Sequence, residues 1–131
     1  MNIAKYLLTV LIIVTSISSN ATPTPEIENA VISEHKTYQD FKETFMFLLA
    51  KLTIESKAES DEESVLDAHS TCVNQQEIVQ MFNNNKKYKK QFDQEFAKEY
   101  PNFDATLDGF QKSVIEMKSF CDQIQAEYDK I

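Results

Sequence analysis

The sequence predicts an all-α fold, an antiparallel four-helix bundle with one disulfide, and three observations carry that prediction. Glycine occurs once and proline three times in 131 residues, which leaves little of the turn chemistry that a many-stranded sheet requires. Apolar residues recur at alternating steps of four and three over long stretches, the pattern of a single helical face turned toward a core. The two cysteines, Cys72 and Cys121, both fall on such faces.

The N-terminal segment is set apart from this pattern. Lys5 supplies a positive start, Tyr6 through Val14 are apolar and uncharged, and small polar residues lead to Ser19-Asn20-Ala21. That is the layout of a secretory signal peptide over residues 1–21, with cleavage after a small-x-small site. A membrane anchor needs roughly 20 predominantly apolar residues, about twice what precedes Thr15. The expected mature chain is one domain, residues 22–131, secreted and extracellular. The sequon Asn20-Ala21-Thr22 straddles the cleavage point, and no other Asn is followed two residues later by Ser or Thr. No N-linked sugar is therefore expected on the mature chain.

The first helical segment opens at Thr24-Pro25-Glu26, an N-cap, a proline at the first helical position and an acid at the positive end of the dipole. Its seam runs Ile27, Val31, Glu34, Tyr38, Phe41, Phe45, Leu48 and Leu52, and only Glu34 is not apolar. From Ile54 to Ser64 the chain is polar and acidic, with Glu55, Glu59, Asp61, Glu62 and Glu63. A solvated connector that caps the next helix is the reading such a charge run supports.

The second segment presents Val65, His69, Cys72, Gln76, Val79 and Phe82 on one face. Asn83-Asn84-Asn85 interrupts it, since asparagine favours caps and turns over helix interiors. A third, shorter segment places Tyr88, Phe92, Phe96 and Tyr100 at strict i, i+4 spacing before Pro101. If the asparagines did not stop the helix, the second and third segments would join into one kinked helix and the fold would be a three-helix bundle. The last segment has the most regular stripe, Phe103, Leu107, Phe110, Val114, Met117, Cys121, Ile124, Tyr128 and Ile131, and is expected to be one continuous helix facing the core. Gly109 lies off that stripe, where it marks a close backbone approach.

Two cysteines in an exported chain read as a pair, because the secretory route is oxidising. A Cys72–Cys121 bond would close a loop of about 49 residues, worth roughly 4 kcal/mol in the chain-entropy treatment. The alternatives are a bridge between two chains, or a metal site with His69, which sits three residues from Cys72. A zinc site would still lack ligands.

Composition and motifs narrow the function by exclusion. The formal charge is −8, it becomes −9 when Lys5 leaves with the signal peptide, and every basic residue is lysine. An anionic chain without arginine lacks the forked guanidinium that grips phosphates and base edges, so nucleic acid is not an expected partner. No nucleophile elbow, zincin motif, phosphate loop or EF-hand loop is present, and a non-enzymatic protein with no cofactor and no metal is expected. Asp104 and Asp108 at i, i+4 read as a solvated pair. Lys86, Lys87, Lys89 and Lys90 around Tyr88 read as the polar face of the third helix, with Tyr88 itself on the core row. His35 reads as a surface or flanking residue.

Two binding functions remain. An effector, mediator or inhibitor that binds an extracellular protein partner would need an exposed apolar patch, for which Met46, Phe47, Leu49 and Met81 are the candidates, with Ile78 and Ile115 also lying off the main seams. A carrier would hold a small apolar ligand between the helices, in a cavity lined by Phe41, Phe45, Phe92 and Phe110. The same residues could simply widen and fill the core. Oligomeric state is not encoded in any of these features.

Overall fold

The computed structural model describes residues 34–96, 98–99 and 101–131. The signal-peptide reading of residues 1–21 and the helix start at Thr24-Pro25-Glu26 lie outside them. Regular structure among the described residues is entirely helical: α1 (Tyr38–Thr53), α2 (Asp61–Asn84), a 3-10 turn (Lys86–Tyr88), α3 (Lys89–Phe96), α4 (Phe103–Glu116) and α5 (Lys118–Tyr128). No helix among them is long and apolar enough to cross a membrane.

Helix α1 begins later than its seam suggested. Thr37 caps it, accepting the Asp40 N–H at 3.1 Å, and Glu34 lies before the helix rather than within its seam. The reason is tertiary. The His35 N–H donates to Asn85 Oδ1 at 2.7 Å, and the Tyr88 hydroxyl donates to the His35 carbonyl at 2.7 Å. These bonds capture the backbone groups that a continuing helix would have used. From Phe41 onward the seam holds, with Phe41, Phe45 and Leu48 buried.

The acidic connector ends in a strong N-cap for α2. Ser60 Oγ accepts the Glu63 N–H at 3.2 Å, while the Glu63 carboxylate accepts the Glu59 N–H at 2.6 Å. Asp61, Glu62 and Glu63 occupy the first turn, where the helix dipole favours negative charge. At the other end Asn85 leaves helical geometry and donates from Nδ2 to the Met81 carbonyl at 2.8 Å. The 3-10 turn then separates α2 from α3, so the helix runs through Asn83 and Asn84 and is interrupted at Asn85, the last residue of the asparagine tract.

Below α3, Asn102 caps α4 by accepting the Ala105 N–H at 2.9 Å, and Asp93 Oδ1 takes the Phe103 N–H at 2.6 Å. The last segment is two helices, not one. Met117 lies at the edge of helical geometry (φ −89°, ψ 0°), and the break is bracketed by Met117 N–H to the Ser113 carbonyl at 2.9 Å and Cys121 N–H to the Met117 carbonyl at 2.8 Å. The apolar stripe also fails to stay buried. Phe103 and Leu107 are core residues, Phe110 through Ile124 are half-buried along the stripe, and Tyr128 and Ile131 are exposed. A regular stripe states which face is apolar; it does not ensure that another element covers it.

Helix α2 runs antiparallel to α4 and α5 from Phe82 back to His69. Phe82 meets Phe103 at one end with ring centroids 4.6 Å apart, Cys72 bonds Cys121 between them, and His69 stacks on Tyr128 at 3.7 Å toward the other end. The core is concentrated at the first of these levels. Phe41, Phe45, Phe82, Phe92 and Phe103 are completely buried, and Phe82 touches all four others at centroid distances from 4.6 to 5.6 Å.

Candidate functional site

Three regions hold polar or reactive side chains in defined arrangements. The first is a buried polar cluster where the segment before α1 meets the end of α2. Asn85, completely buried, uses Oδ1 on His35 and Nδ2 on Met81, which spends both ends of its amide on backbone groups. His35, expected on the surface, is instead buried. Its Nε2 shares a 3.0 Å hydrogen bond with the Thr44 hydroxyl, and Nδ1 has no partner among the described residues. Burial holds the imidazole below the ordinary histidine value, outweighing the hydrogen bonding from Asn85 and the attraction of Asp40. The cluster therefore contains a neutral histidine, and every bond around it joins two parts of the same chain. That is an anchor for the chain before α1, not a reactive centre.

The lysine group is the second region. Lys86, Lys87, Lys89 and Lys90 are exposed and Tyr88 is buried among the core rings, as the spacing predicts. Lys87 pairs with Glu34 at 2.6 Å and also lies over the Tyr88 ring, 5.0 Å from its centroid. Lys89 pairs with Asp104. The Lys87 ammonium in turn draws the Glu34 carboxyl below its usual value. Asp108 has its own partner in Lys112 at 2.9 Å, so Asp104 and Asp108 are each engaged with a lysine rather than with each other. Nearby, Glu95 accepts from the Tyr38 hydroxyl at 2.6 Å and from Lys42 at 2.9 Å. Burial and the adjacent Glu95 carboxylate push the Tyr38 hydroxyl well above the ordinary phenol value. Burial alone would raise the Glu95 carboxyl, but the Tyr38 and Lys42 donors bring it below its usual value.

The third region is the far half of α2 with α5. Cys72 and Cys121 form a disulfide spanning 49 positions, with Cα atoms 5.8 Å apart, so the reading of one intramolecular bridge holds and neither thiol is free for a metal or an interchain bond. His69 Nε2 bonds Gln125 Oε1 at 2.9 Å, and its ring lies flat against Tyr128. Gln75 accepts from the Ser113 hydroxyl at 2.8 Å. Small residues accompany that contact: Thr106, Gly109 and Ser113, at successive steps of three and four, are all buried on α4. The apolar stripe gave no hint of this second inward face, although the spacing of small residues could have. Helix α5 contains no buried residue. Phe120 is 47% exposed and Ile131 58%, with Leu66 and Tyr128 near 40% and 39%.

The candidate partner patch is not on the surface. Met46, Leu49 and Met81 are buried, Phe47 is half-buried against the core, and Ile78 is completely buried. These residues widen the core face, because α1 and α2 are each enclosed by neighbours on more than one side. Ile115 alone of that group is exposed, at 72%. The candidate carrier lining is likewise core: Phe41, Phe45 and Phe92 pack against one another at centroid distances of 5.8 to 6.5 Å, and Phe110 packs half-buried at the margin. A surface groove of about 900 Å³ lies between the end of α1, the connector and α2, edged by Lys51, Ile54, Glu55, Ser64 and Asp67. Among the described residues no group of three or more His, Cys, Asp or Glu side chains is placed to hold a metal. No protein family, no curated protein and no solved structure matches this chain.

Proposed function

We propose that the protein is secreted after loss of residues 1–21 and acts without catalysis, as a helical binding protein for an extracellular protein partner. The described helices are the framework of an antiparallel four-helix bundle in this reading, with α4 and α5 together as its last member. The observation that supports it most is the uneven cover of the apolar surface. Large aromatic side chains are sequestered completely at one end of α2, while Phe120, Ile131, Leu66 and Tyr128 stay accessible at the other. Exposed apolar groups gathered in one region are a feature of interaction surfaces. The rings on which a carrier function would depend are engaged with each other in the core, so partner binding is the better supported of the two functions.

Cross-linking of the purified mature protein in the fluid into which it is secreted, followed by mapping of the linked residues, tests this reading. Links concentrated on residues 61–72 and 117–131 to one extracellular protein are expected. Native mass spectrometry that returns the chain with a stably bound small molecule and no protein partner would overturn it in favour of a carrier.

A further inference from the structure

We propose that α5 and the first half of α2 dock a cationic amphipathic helix of the partner protein along Phe120, Ile124 and Ile131. This rests on the partner-binding reading above and names the chemistry of the partner. The first step is geometric. Among the described residues, the aromatic end of α2 meets rings of α1, α3 and α4, whereas its first half meets α5, the connector and only the last turn of α1. Phe120 and Ile124 lie four residues apart on one face of α5, the spacing by which a helix presents a seam to another, and Ile131 follows in the turn just beyond its end. Ile124 is half-buried and the other two are among the most exposed large apolar residues described. The seam is thus offered and incompletely filled. The disulfide and the His69–Tyr128 stack hold α5 against α2, so the surface is ordered before any partner arrives, which reduces the entropy lost on binding.

Charge selects the occupant. Residues 51–72 and 116–131 contain ten acidic side chains and four lysines, whereas the remaining described residues contain nine acids and eight lysines. The negative charge is therefore concentrated on the half that bears the open seam. A second copy of this chain would bring the same excess of negative charge against it, and an anionic membrane would be repelled in the same way. A helix with an apolar stripe flanked by lysine or arginine matches both features, laying its stripe on the seam and its cations beside Asp61 and Glu62 in the first turn of α2.

A synthetic 18-residue peptide with leucine at helical spacing and lysine elsewhere is the probe, and a peptide of the same composition in scrambled order is the control. Anisotropy titrations against the disulfide-intact mature protein are expected to show saturable binding of the first peptide only, weakened about tenfold or more between low and physiological salt. Phe120→Asp and, separately, Ile131→Asp are each expected to weaken it by about tenfold or more, while Ile115→Asp leaves it unchanged. Equal binding of the scrambled peptide, indifference to both seam substitutions, or a stable dimer in sedimentation without peptide would overturn the proposal. The two readings fail separately. Cross-links to a protein partner that map to other helices, together with no peptide binding, would retain partner binding and remove this docking surface; absence of any protein cross-link together with specific peptide binding would do the reverse.

Discussion

The two ends of α2 are built on different principles. At the Phe82 end, five phenylalanines from four helices are removed entirely from solvent, and stability comes from apolar burial and ring-edge contacts. At the Cys72 end, among the described residues, α2 meets α5, the connector and the last turn of α1, α5 buries no residue, and a covalent bond with one stacked pair substitutes for an aromatic core. A cluster of five rings defines one packing arrangement and leaves little surface to offer. A pair of helices held by a disulfide stays in place without a core and keeps an apolar seam available. The contrast explains how one small chain can be both ordered and partly uncovered.

Phe82→Ala should break the first end. Loss of a fully buried ring costs about 3 to 5 kcal/mol, and its loss of contact with four neighbouring rings places it at the upper part of that range; denaturant unfolding followed by far-ultraviolet circular dichroism gives the value. Replacing Cys72 and Cys121 together by serine should cost up to about 4 kcal/mol. Hydrogen exchange should then rise first in residues 61–72 and 118–128, with the amides around Phe41 and Phe82 the last to respond. Uniform loosening of both ends would show that they are one cooperative unit and not two.

Asn85→Ala tests whether the polar anchor belongs to the aromatic end. It leaves the buried His35 N–H and the Met81 carbonyl without the Asn85 partner, at about 1 to 3 kcal/mol for each group left unpaired. The same anchor should show in the pH dependence. Because burial lowers the His35 value in the folded protein, the unfolded chain takes up the proton first as pH falls below about 6.5. The contribution is fully present above that pH and is lost as pH drops through the lowered folded value. Unfolding free energies at pH 7.5 and pH 5.5 should therefore differ for the natural chain and differ less for His35→Leu. The Glu34 and Glu95 carboxyls, also lowered, act in a separate window below about 4.5. The smallest effect is expected from Phe120→Asp. A half-exposed ring on a face with no buried residue should change stability by no more than about 0.5 kcal/mol, and a cost of several kcal/mol would mean that the seam is core after all.

Much of this architecture is legible in residue spacing. The i, i+4 row of Tyr88, Phe92 and Phe96, the break at Asn83–Asn85, the acidic cap before α2 and the joining of Cys72 to Cys121 all follow from local chemistry or from two cysteines sharing inward faces. The misreadings are of one kind. His35 reads as a surface residue because nothing in its neighbours in sequence announces Asn85 and Tyr88, which are fifty and fifty-three positions away. Met46, Leu49 and Met81 lie off the principal seams, and whether an off-seam residue is core depends on how many neighbours surround its helix. The site suffered from the same ambiguity: the exposed seam of α5 has the same spacing as the buried start of α4.

Helical class, the polar connector with its cap for α2, the cysteine pairing and the excess of negative charge are properties that the sequence by itself determined, because each depends on local residues, on helical spacing or on composition. Which apolar faces are covered was decided only by the tertiary structure. Burial depends on how far each helix extends along its neighbours, and here α1 starts only at Tyr38 once His35 is bound to Asn85 and Tyr88. The short α3 and the break at Met117 complete that outcome, leaving the end of a regular apolar stripe open to solvent.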